Sequence, residues 1–265
     1  MGHTRLGVIP KTRKWEAVVD FLATPDVAVG IAPDQVPAIA SDALAAAQGG
    51  LNKAANDEGL TQSLLLLVRI LQASRAADPA AELEGIGIRL DNDATAFDTI
   101  SQFQDLLDRT IAEHGPRTDV GEIAQQAVGE TLAAVLRPLD QSLFETGLSD
   151  VLQTLRDAST KAGFAYASRT FFASFMKRFL NFYLSRATAS FVSSPALAQI
   201  GAVTEFNQAL QIHCYQSARI VETYAGDWYS KTSYEGGIDA GSTKRFIAVA
   251  LKKLADEFKI QGRHQ

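Results

Sequence analysis

Cysteine is almost absent from this chain. Its one thiol, Cys214, excludes an intramolecular disulfide and a cysteine-rich zinc site, and it suits a reducing compartment, the cytoplasm. Histidine is nearly as scarce, with four in 265 residues, and two of them, His3 and His264, stand near the ends. A histidine-rich metal centre is therefore not expected, and no metal or cofactor is assigned. No uncharged apolar run reaches the roughly 18 residues that a membrane-spanning helix requires. Met1 to Trp15 lacks the continuous apolar core of a signal peptide. The Met1-Gly2 start has Leu6 where a myristoylation signal needs Ser or Thr. P-loop, paired-glycine dinucleotide fingerprint, nucleophile elbow, HExxH and kinase signatures are all missing. So is any repeat at a fixed period. Nothing in the chain names a reaction.

Acidic residues are unevenly spread. The net charge is −5, which argues against a generic nucleic-acid binder. Yet residues 1–163 carry 13 Lys+Arg against 23 Asp+Glu, and no acid occurs between Asp157 and Glu205. The halves can attract each other, or the basic half can face an external anion.

What is abundant is alanine, 41 residues, which favours helix and close helix packing. Large apolar side chains are concentrated in Phe164–Val192. At about 100° per residue, Phe164, Phe171, Phe172, Phe175, Phe179 and Phe182 share one half of a helix with Met176, Leu180 and Tyr183. That arc is too wide for one neighbour to cover. Thr170, Ser174, Lys177, Arg178, Asn181 and Ser185 lie on the other side. Ser168 and Arg186 fall inside the aromatic arc. The pattern predicts a central core helix. Its alternatives are a face for a partner chain and a membrane-surface helix; four basic residues, Arg169, Lys177, Arg178 and Arg186, oppose a span. Arg186 needs a carboxylate, and the expectation is an ion pair with an acid from residues 1–163.

In chain order, a basic arm through Pro10 leads into a helix over about 14–22, and prolines then punctuate the approach to an alanine-rich helix over 38–47. LTQSLLLLVRILQA from Leu60 is apolar nearly all round and reads as a buried helix. Residues 83–90 alternate like a strand without a partner and are treated as an extended connector. Asp93 or Thr95 caps a helix stopped by Gly115-Pro116. Further helices are expected from about Thr118 to Pro138, over 149–162, over 164–192, over 204–225 and over 242–260. A weak boundary falls near 138–149.

Four places could carry chemistry. Asp91-Asn92-Asp93 resembles the start of a calcium loop but lacks its glycine and closing glutamate, so capping explains it better. His213 shares the inward face of its helix with Phe206, Leu210 and Cys214, which reads as a core histidine. Residues Gly226–Gly241 are predicted to form a loop that carries Trp228, Tyr229 and Tyr234 for binding, or is pinned to the core by them. If His213 met Asp227 or Glu235 there, a hydrolytic or transferase site would result. Finally, Lys244, Arg245 and Lys252 form a basic stripe on the last helix that, with Lys177 and Arg178, could hold a polyanion.

These observations predict an all-α, irregular bundle of about eight to ten helices around the aromatic helix, in a single body. The expected function is that of a non-enzymatic subunit or adaptor acting with other protein subunits in an assembly, for which a homo-oligomer is one form. Nucleic-acid binding through the basic half is the alternative, and an enzyme of unknown class the second.

Overall fold

The computed structural model describes residues 6, 10, 12–23, 33–140, 147–189 and 200–263; for some of these, Arg186 among them, only the backbone is described. All regular structure among them is helical: α1 (Arg13–Ala23), α2 (Val36–Ala46), α3 (Gln48–Ala54), α4 (Glu58–Ala73), α5 (Pro79–Gly85), α6 (Ala96–His114), α7 (Asp119–Asp140), α8 (Leu148–Ala158), α9 (Lys161–Ala189), α10 (Ile200–Ser217), α11 (Arg219–Glu235) and α12 (Ala240–Gln261), with one 3-10 turn at Pro33–Gln35. The described helices number twelve rather than eight to ten. The excess comes from two short helices, α3 and α5, and from a division at Ala218.

The aromatic helix is central, as its wide apolar arc demands. It begins at Lys161, three residues before the predicted start. Helices α7, α10 and α11 make its most extensive contacts, and α8, α2 and α1 complete the surround. Phe171, Phe172, Phe175, Met176, Phe179 and Leu180 have no exposed surface. Along the helix the rings contact one another in sequence: Phe171 with Phe175 at 6.4 Å between centroids, Phe175 with Phe179 at 6.1 Å, and Phe179 with Tyr183 at 5.3 Å. Ser168 lies in this arc as expected, fully buried, and its hydroxyl has no partner among the described residues. The Arg186 side chain, and with it the predicted long-range pair, lies outside the described residues. Among the described residues, an ion pair that links α9 to the acidic half is made by Arg178, whose guanidinium meets Glu130 and, at 2.5 Å, the Gln126 side-chain oxygen of α7.

Helix α4 is the second core element. From Leu60 to Val68 every residue is buried, and Arg69 is exposed. Asp57 caps its start, accepting from the Leu60 N–H at 3.0 Å and from the Thr118 hydroxyl at 2.8 Å. Burial raises the Asp57 carboxyl above its ordinary value against the pull of those hydrogen bonds. The ends of α4 and α8 are tied reciprocally: Arg75 donates to the Ser159 carbonyl at 3.3 Å, and Arg156 to the Ser74 carbonyl at 3.1 Å. Each guanidinium thus satisfies an end carbonyl that its own helix leaves open.

Two local expectations need correction. Residues 83–90 close α5 and turn through Gly87, φ +100°, with the Ile88 N–H on the Leu83 carbonyl at 2.9 Å; only 88–91 lie outside helix and turn. The predicted loop at Gly226–Gly241 is helical through Glu235, and the turn is confined to Gly236–Asp239. Gly226 is not a loop glycine. A Cβ there would lie 2.4 Å from the Lys161 carbonyl oxygen, so the glycine lets α11 cross the start of α9 at close range.

Candidate functional site

The helix predicted over 204–225 is interrupted at Ala218, which joins α10 to α11. Its backbone, φ −68° and ψ −7°, stays in the right-handed helical region, so the chain bends without reversing. The inward face of α10 is as the spacing predicts: Phe206, Leu210, His213, Cys214 and Ser217 are buried. Helix α9 holds α10 through its polar side. Lys177 donates to the Gln211 side-chain oxygen at 2.9 Å. Arg169 donates to the Tyr215 carbonyl at 3.1 Å and to Glu222 at 2.8 Å, and its guanidinium carbon stands 3.9 Å over the Tyr215 ring. One arginine therefore fixes the junction of α10 with α11.

The outward face of α10 is different. Glu205, Gln208, Ile212 and Gln216 are all exposed, Ile212 by 59%, and none of their side chains makes a hydrogen bond or ion pair among the described residues. On a helix these four fall within about 40° of Ile212. A groove borders the row on each side. One, about 880 Å³, lies on α9 between α7 and α10; its floor is Thr170, Ala173 and Ser174, and Glu130, Arg137 and Lys177 supply charge. The other, about 530 Å³, lies toward α2, where Asp34 and Pro37 face Glu205 and His213. The lining of the first groove thus mixes small residues, Thr170, Ala173 and Ser174, with Ile212, Arg137 and Tyr215.

His213 lies on the inward face of α10. It is 4% exposed, lies edge-on to Phe258 at 4.9 Å, and its buried Nε2 has no partner among the described residues. Desolvation pushes its pKa down to about 4, so the ring is neutral near pH 7. Neighbouring Cys214 is fully buried, and desolvation raises its thiol far above the ordinary range. It is not a nucleophile in this state.

The remaining predicted residues are not gathered into one place. Asp227 pairs with Lys161 at 2.5 Å and Glu235 with Lys231 at 3.8 Å, and no described contact joins either to His213. The convergence required of a hydrolytic site is absent among the described residues. Trp228 stacks on Phe246 at 4.2 Å and Tyr229 on Phe164 at 4.3 Å, so both anchor α11 to the core, while Tyr234 is 92% exposed. Lys177 and Arg178 face α7 and α10, and Lys244, Arg245 and Lys252 belong to α12, where Arg245 and Lys252 are exposed. The basic residues of the C-terminal half thus form two separate groups. Asp91–Asp93 makes an exposed turn ahead of Thr95, which caps α6 in a reciprocal box with Asp98. Among the described residues no cluster of His, Cys, Asp and Glu could hold a metal ion, and no helix is long and apolar enough to cross a membrane.

Sequence reasoning passed over the row on α10. The signal was an isoleucine on the polar side of an amphipathic helix, with glutamines one turn to either side.

Comparison with family models, with curated proteins and with solved structures finds no match.

Proposed function

We propose that this chain is a non-enzymatic helical subunit that acts by docking to protein within a larger assembly, and that the outward face of α10 is its docking surface. One observation carries the reading: the row Glu205, Gln208, Ile212 and Gln216 is exposed, its side chains have no partner among the described residues, and a groove lies on each side of it. Ridges beside grooves are how helices pack on one another, so such a face suits a helical partner. The fixed charges nearby support a polar rim around an apolar centre, as interfaces are built.

The test is the native mass of the full chain, tagged and expressed in its own cell. The chain should run well above its 28.5 kDa in extract, and Ile212→Glu should return it to monomer size. Because Ile212 is exposed, that substitution should leave stability within about 0.5 kcal/mol. A wild-type chain that runs as a monomer in extract would overturn the reading. So would a complex that survives Ile212→Glu intact.

A further inference from the structure

We infer that the groove on α9 between α7 and α10 binds a small organic dianion, an apolar chain with an acidic group at each end. At about 880 Å³ the groove has the size of a small-molecule site. Its floor offers a ligand few polar partners. Ala173 and Ser174 are buried, the Thr170 hydroxyl already donates to the Tyr166 carbonyl at 3.0 Å, and the Ser174 hydroxyl donates to Glu130. Ala133 and Ala134 of α7 and Ile212 of α10 continue this apolar surface up the walls. The body of a ligand is therefore held by burial of apolar area rather than by hydrogen bonds to the floor.

Charge selects the ends of that ligand. Glu130 is the one acid among the described lining residues, and its carboxylate is already engaged by the Ser174 hydroxyl and the Arg178 guanidinium. Two cations of the lining have no counter-charge. Arg137 is exposed and makes no side-chain hydrogen bond or ion pair among the described residues, and the described partner of Lys177 is the neutral Gln211 amide. The groove is thus positive in a chain whose net charge is −5. The two cations also stand apart. Ser174 meets Glu130, while Arg178, one turn on along α9, reaches Gln126, one turn back along α7, so the two helices run antiparallel. Lys177 lies at the level of Glu130, and Arg137 lies two turns beyond it, about 10 Å farther along the groove on the Thr170 side. An elongated dianion meets both cations with its chain along the apolar floor, and each end makes a charge-assisted hydrogen bond. This ligand site does not depend on the docking of a protein to α10.

Isothermal titration of the purified full chain with three probes tests the inference. Sebacate is an unbranched chain with a carboxylate at each end, decanoate is the same chain with one, and succinate carries both carboxylates on a short chain. Sebacate should bind tighter than either by about tenfold or more, because it alone engages both cations across the groove. Arg137→Gln and Lys177→Gln should each bring sebacate down to the affinity of decanoate. Arg137 is exposed and its side chain is unbonded among the described residues, so its substitution leaves the fold intact. The readout is the preference for two carboxylates, which a merely structural role would not move, since a damaged fold weakens all three probes alike. Three results overturn the inference: no heat from sebacate at millimolar concentration, decanoate or succinate binding as tightly as sebacate, or a preference for sebacate that survives either substitution.

Discussion

His213 is where a single residue makes the stability of this protein depend on pH. Its neutral ring is buried against Phe258, and its pKa is depressed to about 4 from an ordinary 6.5. A group whose folded pKa is depressed binds fewer protons in the folded than in the unfolded state. Its contribution is therefore fully present above about pH 6.5 and is lost as pH falls through about 4. The difference corresponds to up to about 3 kcal/mol. Chemical denaturation at pH 7.5 and at pH 4.5 should show a loss of that order in wild type, and His213→Leu should remove most of this dependence. If the substituted chain loses as much stability on acidification as wild type, another group governs it. Asp57 works in the opposite direction. Its folded pKa is raised, so its charged form is penalised as pH rises through the carboxylate range. The windows differ, so the effect of His213 between pH 5 and 6.5 is separable.

At the scale of elements, the crossing of α9 and α11 decides how closely the core can close. Alanine in place of glycine inside a helix ordinarily gains up to about 1 kcal/mol. At Gly226 the added Cβ would stand 2.4 Å from a backbone oxygen of Lys161, and backbone cannot move aside as a flexible side chain can. Gly226→Ala should therefore destabilise by about 1–3 kcal/mol, the cost of overpacking. A melting point that rises instead would show that α11 does not cross α9 at this point. The same glycine explains why a loop is expected from sequence where a helix forms. Gly226, Gly236, Gly237 and Gly241 look alike in the chain, yet only Gly236 and Gly237 adopt positive φ, at 151° and 91°. Close approach and conformational freedom both select glycine, and spacing alone does not tell them apart. Periodicity, by contrast, reads α9 and α4 correctly, because a helix covered on nearly all sides must carry apolar residues on nearly all sides.

For the molecule as a whole, the division into an acidic and a basic half is legible in the sequence, and part of its use is visible in Arg178, which joins α9 to Glu130 of α7. The polar side of α9 carries Lys177 and Arg178, which the sequence offers to a polyanion. It is instead half-buried between α7 and α10, because charge composition says nothing of which neighbour a helix will acquire. Nor is the proposed docking face read directly from the sequence. Glu205, Gln208, Ile212 and Gln216 are unremarkable one by one, and they matter together only once α10 presents them outward with no side-chain partner among the described residues. The most direct measurement is photo-crosslinking from position 212. The chain carrying a photo-reactive residue there, expressed in its own cell and irradiated, should run as a covalent adduct well above 28.5 kDa on a denaturing gel. The same residue at position 234, where Tyr234 is 92% exposed and far more accessible, should give little or none. Equal cross-linking at both positions, or none at residue 212, would contradict a docking face on α10.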